Sequence, residues 1–243
     1  MTARHATIVA AIVCLSLLLS ADQLPAQDAA GTTQENTETL AVDILLQRQD
    51  LLTQSAEGKA IFAAGDFTGK TGDPALPVLL YHVLLPPDVD YSTLVVELAN
   101  CRTNRLKSTW MVESVPPARS RKDQVFWPDG LDEKTPQSAA YQRDAFLPSS
   151  HLTSFRPFPK RQWRMVEIRV CPFRYNPVSR QLLFLESFRV NVSFTRHARP
   201  TLRTRSPAMS AFVQKQVRQL AVNFSDIMYE YGVREDAAKE DVP

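Results

Sequence analysis

Seven glycines in 243 residues leave no room for a glycine-rich phosphate cradle outside one visible motif, and that motif fails. In Gly65-Asp66-Phe67-Thr68-Gly69-Lys70-Thr71, the first glycine of a phosphate-binding loop would have to stand at 64, where Ala64 stands. Gly72-Asp73-Pro74 then prevents the helix whose N-terminus would hold phosphate. A hairpin turn is the reading left. Histidine is equally scarce: beyond residue 26 there are only His82, His151 and His197, without metal-ligand spacing or an accompanying carboxylate cluster. No metal or other cofactor is expected. Cysteine is limited to Cys14, Cys101 and Cys171, and 243 residues can bury a core without a disulfide scaffold.

What is present fits one globular domain: 44% hydrophobic and 22% charged residues, with 17 prolines. The N-terminus carries Arg4 and His5, an apolar run over residues 8–19, and small residues suited to cleavage after Ala26 or Ala21. This predicts a signal peptide over 1–26 and a secreted or periplasmic, cell-envelope location. The run of 12 residues is shorter than the roughly 20 a membrane span needs, so no transmembrane segment is expected after signal removal. In an oxidising compartment Cys101 and Cys171 are a candidate disulfide, worth about 4 kcal/mol in the chain-entropy model. Two free thiols are the alternative.

The net charge of +2 is a sum of opposites. Residues 27–100 carry 3 basic and 11 acidic side chains, residues 101–218 carry 22 and 8, and residues 219–243 carry 2 and 6. Such segregation either steers an acidic partner to one face or places the acidic flanks against the basic middle within the fold. Twenty arginines spread along strands and connectors without a nucleic-acid motif, so no nucleic-acid partner is expected.

Residues 27–39 are polar and aperiodic, a flexible N-terminal arm. From residue 40, β-branched and aromatic runs at 40–52, 59–67, 78–85, 93–101, 106–115, 163–170 and 181–194 alternate with Gly, Pro, Asn and Asp. They predict an all-β fold, an antiparallel sandwich of immunoglobulin-like or jelly-roll-like type, over 40–196. Residues 40–52 read as strand, with helix as the alternative. In the last run Leu183, Leu185, Phe188, Val190, Val192 and Phe194 face the core, with a slip near Ser187 that marks a bulge. Residues 116–162 hold seven prolines, which exclude a central strand and predict a long functional loop. A basic connector over 197–206 leads to Ser206 and Pro207, an N-cap and first-turn proline. An amphipathic helix follows over 207–229, its stripe of Val213, Val217, Leu220 and Phe224 packing on its own sandwich or on a partner, and then an acidic tail over 230–243.

Other chemistry is thin. Cys101 or Cys171 with a histidine would make a nucleophile and base, but no local signature places them together. Asp88 with Asp90, and Asp129 with Asp132 and Glu133, suit either a hard cation or ordinary turns. Asn191 and Asn223 each open a glycosylation sequon.

One constellation is more specific. Gly72-Asp73-Pro74-Ala75-Leu76-Pro77-Val78 comes first, then Leu84-Leu85-Pro86-Pro87, Pro116-Pro117 and Phe146-Leu147-Pro148. Residues 166–170 run into Pro172-Phe173-Arg174-Tyr175-Asn176-Pro177, and the long strand ends at Phe194. In order and spacing this resembles the propeptide domain of gingipain-type cysteine proteases over residues 40–196, and residues 212–223 resemble the connector that precedes the protease. The resemblance implies a β-sandwich that covers the active-site cleft of its protease and supports its folding. To Pro243 there is no matching catalytic Cys and His, so it implies a non-catalytic prodomain whose partner, a gingipain-type cysteine protease catalytic domain, is encoded separately. A standalone sandwich module of the cell envelope, the remnant of a truncated precursor and an envelope enzyme are the rivals. If inhibition operates, the proline-rich loop is its instrument, with Arg119, Arg121, Lys122 and Arg143 as candidate protease contacts.

Overall fold

The computed structural model describes residues 37–63, 66–119, 124–197 and 207–233. The expected signal peptide, nearly all of the N-terminal arm, Arg121 and Lys122, and most of the basic connector and acidic tail lie outside the described residues. In chain order the elements begin with β1 (Glu38–Leu45), α1 (Arg48–Leu51), β2 (Leu52–Gln54), β3 (Ala60–Phe62), β4 (Phe67–Thr68) and β5 (Leu76–Pro77). There follow β6 (Leu79–Leu85), β7 (Val89–Arg105), β8 (Ala118–Arg119), β9 (Val125–Phe126), β10 (Leu152–Pro157) and β11 (Arg164–Val170). The last are β12 (Phe173–Asn176), β13 (Gln181–Arg196), α2 (Pro207–Leu220) and α3 (Phe224–Ile227).

Two antiparallel sheets face each other. In the first, β13 pairs along one edge with β7, and along the other with β1 and β12 placed end to end. The second has the order β10-β11-β6. Between them lies a core to which β13 gives Phe188, Val190, Val192 and Phe194, and the second sheet gives Val83, Leu85, Val166, Ile168 and Val170. The expected bulge near Ser187 is present, as register shifts against β7 on both sides of that residue. It reverses the strand's facing parity. Leu182 and Phe184, ahead of the bulge, therefore enter a second core with Phe173, Tyr175, Leu106 and Trp110, where the alternation in the sequence had pointed Leu183 inward.

A third core lies on the outer face of the second sheet. Leu84, Trp163 and Met165 are covered there by Val213, Val217 and Ala221, at helical spacing, and by Phe224, Ile227 and Met228. The C-terminal helix thus packs on its own sandwich, but it is not continuous over 207–229. It stops at Leu220, and α3 and a 3-10 helix over Met228–Tyr231 follow the break. The reason is tertiary: Val222 N–H donates to the His82 carbonyl at 2.9 Å. The Asn223 amide takes the Leu84 N–H at 2.7 Å and donates to the Leu84 carbonyl at 2.9 Å. Residues 221–223 so close the open edge of β6, the side on which an unpaired strand is a liability. Asn223 is buried and engaged twice, which removes it as a glycosylation acceptor.

Other expectations need correction. Residues 106–115 are not a strand: Leu106 and Trp110 donate to Leu182 and Arg180, Met111 to Gly58, and Val115 to Asp73. Bonds to so many partners make no ladder, although Leu106, Trp110 and Val112 are buried as their type demands. The run 40–52 divides into β1, which starts at Glu38, and α1. The long loop is not structureless. It contains the hairpin β8–β9, a 3-10 helix over Ala139–Gln142, and β10, whose proline is tolerated because β10 is an edge strand.

The segregated charges pair within the fold. Arg196, at the end of β13, contacts Glu38 at 2.8 Å, Glu230 at 2.6 Å and Asp88 at 3.3 Å, joining both acidic flanks to the basic middle. Arg189 makes a bidentate pair with Asp43, which holds that carboxyl below its ordinary value.

Asn223→Ala strands both polar groups of Leu84 in a buried site. Urea denaturation is expected to show a loss of about 2–4 kcal/mol. A loss under about 0.5 kcal/mol would show that the edge closure does not depend on this amide.

Candidate functional site

The two most distinctive sequence motifs turn out to be anchors for the long proline-rich segment. Gly72 N–H donates to the Val115 carbonyl at 2.9 Å, and the Gly72 carbonyl accepts from Ser138 N–H at 2.9 Å. Val115 N–H donates to the Asp73 carbonyl at 2.7 Å, and the Ser138 hydroxyl donates to the Asp73 carboxylate at 2.6 Å. Val115 and Ser138, the two ends of the excursion 116–137, are therefore held to the body at one point, on a two-residue base. Gly72 has φ +88, and a Cβ there would lie 2.6 Å from Leu131 Cδ1 and 3.1 Å from Ser138 N. Both the left-handed backbone and the close approach of the returning chain require glycine.

Ser138 also accepts from Ala140 N–H and caps the 3-10 helix. From there Tyr141 donates its hydroxyl to the Val112 carbonyl at 2.8 Å. The second motif holds the rest of the segment. Leu147 and Tyr175 exchange two backbone bonds of 2.8 Å, Arg174 donates to the Pro148 carbonyl at 2.7 Å, and the Asn176 amide donates to Asp144 at 2.8 Å. The Asn176 side-chain oxygen meanwhile accepts from Val178 and Ser179 N–H, which makes the turn into β13. One asparagine thus builds a hairpin and ties down a loop.

Beyond the base, β8 and β9 pair only with each other. All four of their residues are exposed, including Phe126 at 55% and Val125 at 44%. Val125 and Phe126 are thus apolar side chains left in solvent on a self-paired ribbon. The sequence reading missed Val125 and Phe126, although Val125-Phe126-Trp127 is an apolar run amid prolines and charges. Of the basic candidates, Arg119 is on β8 and exposed, while Arg143 is exposed but sits after the 3-10 helix, on the anchored part. Arg121 and Lys122 lie outside the described residues.

The cysteines do not meet. Cys101 is exposed on β7, Cys171 is fully buried, and both are free, so the candidate disulfide Cys101–Cys171 is not formed. Alternating positions identify a face of a strand but not the distance between two strands, and a bridge needs Cα atoms within about 7 Å. Cys171 does lie beside a histidine, but not as a nucleophile and base. Its thiol donates to the Phe173 carbonyl at 2.9 Å, and burial pushes its pKa up to about 12. His151 Nδ1 contacts the Cys171 backbone carbonyl, not sulfur, and burial lowers the imidazole pKa. An activated thiolate needs the opposite environment.

On the outer face of the second sheet, Glu167 is buried and accepts two bonds from Arg156, at 2.9 and 3.0 Å. These bonds hold its pKa below the ordinary value against the opposing effect of burial. His82, at 3.6 Å from Glu167 and against the Phe158 ring, is lowered chiefly by burial. This cross-strand ladder of paired groups is structural. Among the described residues no three His, Cys, Asp or Glu side chains group as metal ligands do, and no helix is long and apolar enough to cross a membrane.

The Propeptide_C25 family model matches residues 52–230. Among solved structures, the complex of Porphyromonas gingivalis RgpB pro- and mature domains contains a chain similar to this one with a TM-score of 0.54 and 19% identity, covering 81% of this chain and 96% of that one. A structure described as giving insight into zymogenic latency of gingipain K from Porphyromonas gingivalis matches with a TM-score of 0.47 and 16% identity, over 69% and 96% of the two chains. No curated protein matches.

Gly72→Ala is expected to strain the base by about 1–2 kcal/mol and to speed protease nicking within residues 116–137 by about tenfold, since each 1.4 kcal/mol is a factor of ten in opening. Unchanged nicking would disconnect Gly72 from the excursion. Thiol labelling of the native protein with peptide mapping should modify Cys101 alone, with Cys171 reacting only after unfolding. Equal native reactivity would contradict the buried thiol.

Proposed function

Because the chain belongs to the Propeptide_C25 family, we propose that it is an exported, non-catalytic prodomain that binds a separately encoded gingipain-type cysteine protease catalytic domain and restrains or chaperones it. The observation that carries this reading is the excursion 116–137: a self-paired hairpin with exposed Val125, Phe126 and Arg119, held on a rigid base. A loop fixed at its root enters a cleft with little ordering entropy left to lose. Phe126 supplies the apolar contact, and Arg119, Arg121 and Lys122 supply charge for a pocket that takes a basic side chain. Arg143, on the anchored part, contributes at the margin of the same contact.

The similarity to a chain from the RgpB complex of pro- and mature domains supports the kind of partner. The apolar run at residues 8–19 supports export to the periplasm, the cell envelope or the medium. The protonated, enclosed thiol of Cys171 gives no support to the rival in which the chain is itself a thiol hydrolase.

The test is titration of a gingipain-type catalytic domain from the same source with this protein. Saturable inhibition or improved recovery of activity on refolding is expected. Combined Arg119→Ala, Arg121→Ala and Lys122→Ala substitution should weaken the effect by at least about tenfold, roughly 1.4 kcal/mol, with an unchanged unfolding midpoint. A protein that neither inhibits, nor assists refolding, nor binds would leave a standalone sandwich module of the envelope as the better reading.

A further inference from the structure

At the end of the sandwich away from Arg196, a cleft of about 580 Å³ opens between residues 45–49, at and just past the end of β1, and residues 104–108, at and just past the end of β7. Both walls hang on β13. Leu46 N–H donates to the Glu186 carbonyl, and Leu106 N–H to the Leu182 carbonyl. The site is therefore held by the strand that organises the molecule and is formed in advance. Its apolar lining includes Leu46, Leu106, Trp110 and Phe184, the last three buried.

Its rim is cationic. Arg48, Arg105 and Lys107 are exposed lining residues, and no carboxylate partners them among the described residues. The single acid in the lining, Glu186, is already engaged by the Asn104 amide at 3.0 Å and by Arg102 at 3.6 Å. Arg105 lies over the Phe146 ring at 5.8 Å, which fixes one charge at the mouth. Trp110 in the lining is 4% exposed, and its buried indole N–H has no acceptor among the described residues. At the other end of β13, by contrast, Arg196 is paired with Glu38, Asp88 and Glu230.

We propose that this cleft binds an acidic peptide segment of a partner protein, with an apolar side chain on the Leu106–Trp110–Phe184 floor and carboxylates on Arg48, Arg105 and Lys107. Charge complementarity selects the occupant. The floor favours peptide over nucleic acid: it is partly aliphatic, its one indole is buried instead of offered for stacking, and the three charges surround a compact hollow instead of tracking a backbone. The site is chemically independent of what the excursion 116–137 contacts.

The probe is a fluorescein-labelled, end-blocked octapeptide alternating leucine and glutamate, titrated into the full chain at low and high salt. Saturable binding is expected, weakened by salt and at least about tenfold weaker for the same peptide with glutamine in place of glutamate. Arg105→Glu with Lys107→Glu should weaken it similarly while the unfolding midpoint holds, and Trp110→Phe should remove a binding-linked change in tryptophan fluorescence. The Arg119, Arg121 and Lys122 variant should bind the peptide as the parent does, which separates this site from the protease contact. Absence of saturable binding, equal affinity for the glutamine peptide, loss of binding in the Arg119 variant, or tighter binding of an oligothymidylate would each overturn the proposal.

Discussion

Hydrogen bonding along both edges of β13 is the constraint from which the rest of the structure follows. That strand holds β7 on one side and β1 and β12 on the other, and it supplies side chains to two cores on opposite faces. The bulge at Ser187 makes this possible, because one irregular step reverses the parity of every later residue. Without it the apolar residues of the two halves would compete for one face. The excursion and the basic cleft both depend on this arrangement. The Asn176 turn that starts β13 ties down the loop, and the walls of the cleft are bonded to backbone at Leu182 and Glu186.

The molecule separates rigid support from exposed contact. Asp73, Ser138, Arg174 and Asn176 use their hydrogen-bonding capacity on backbone and on one another, so they hold the segment without being free to bind anything. Val125, Phe126 and Arg119 lie beyond that base with little burial. Such a division keeps the groups that fix the segment apart from the side chains it exposes. The second sheet makes the same use of its edges: β10 ends in Pro157, and β6 is closed by Asn223 and its neighbours. Unpaired strand edges, which would invite nonspecific association, are thereby reduced.

The charge distribution follows the same logic. A sequence that is acidic, basic and acidic in turn is consistent with a polarised surface, yet Arg189 and Arg196 spend their charge on Asp43, Glu38, Asp88 and Glu230. These partners come from β1, the turn before β7 and the C-terminal segment. Part of what regional counting measures as a field is therefore cancelled across the fold, while Arg48, Arg105 and Lys107 at the cleft have no carboxylate partner among the described residues.

From the residues alone, the antiparallel β character, the long last strand with its slip at Ser187, the amphipathic stripe on Val213, Val217 and Phe224 and the family resemblance were legible, because each rests on local periodicity or a contiguous motif. The motifs Gly72-Asp73-Pro74 and Tyr175-Asn176-Pro177 were legible as turns, but not as the roots of residues 116–162, since their partners lie 28 to 65 residues away. The same limit explains why the pairing of Cys101 and Cys171 stayed a candidate beside two free thiols, and explains the strand assigned to 106–115 and the unbroken helix over 207–229. The composition of a segment determines which side chains seek burial and which backbone angles are allowed. Distance between strands, the partner of each unpaired N–H and the point where a helix yields to a sheet edge are decided only when the sheets pack, because those bonds join groups far apart in the chain.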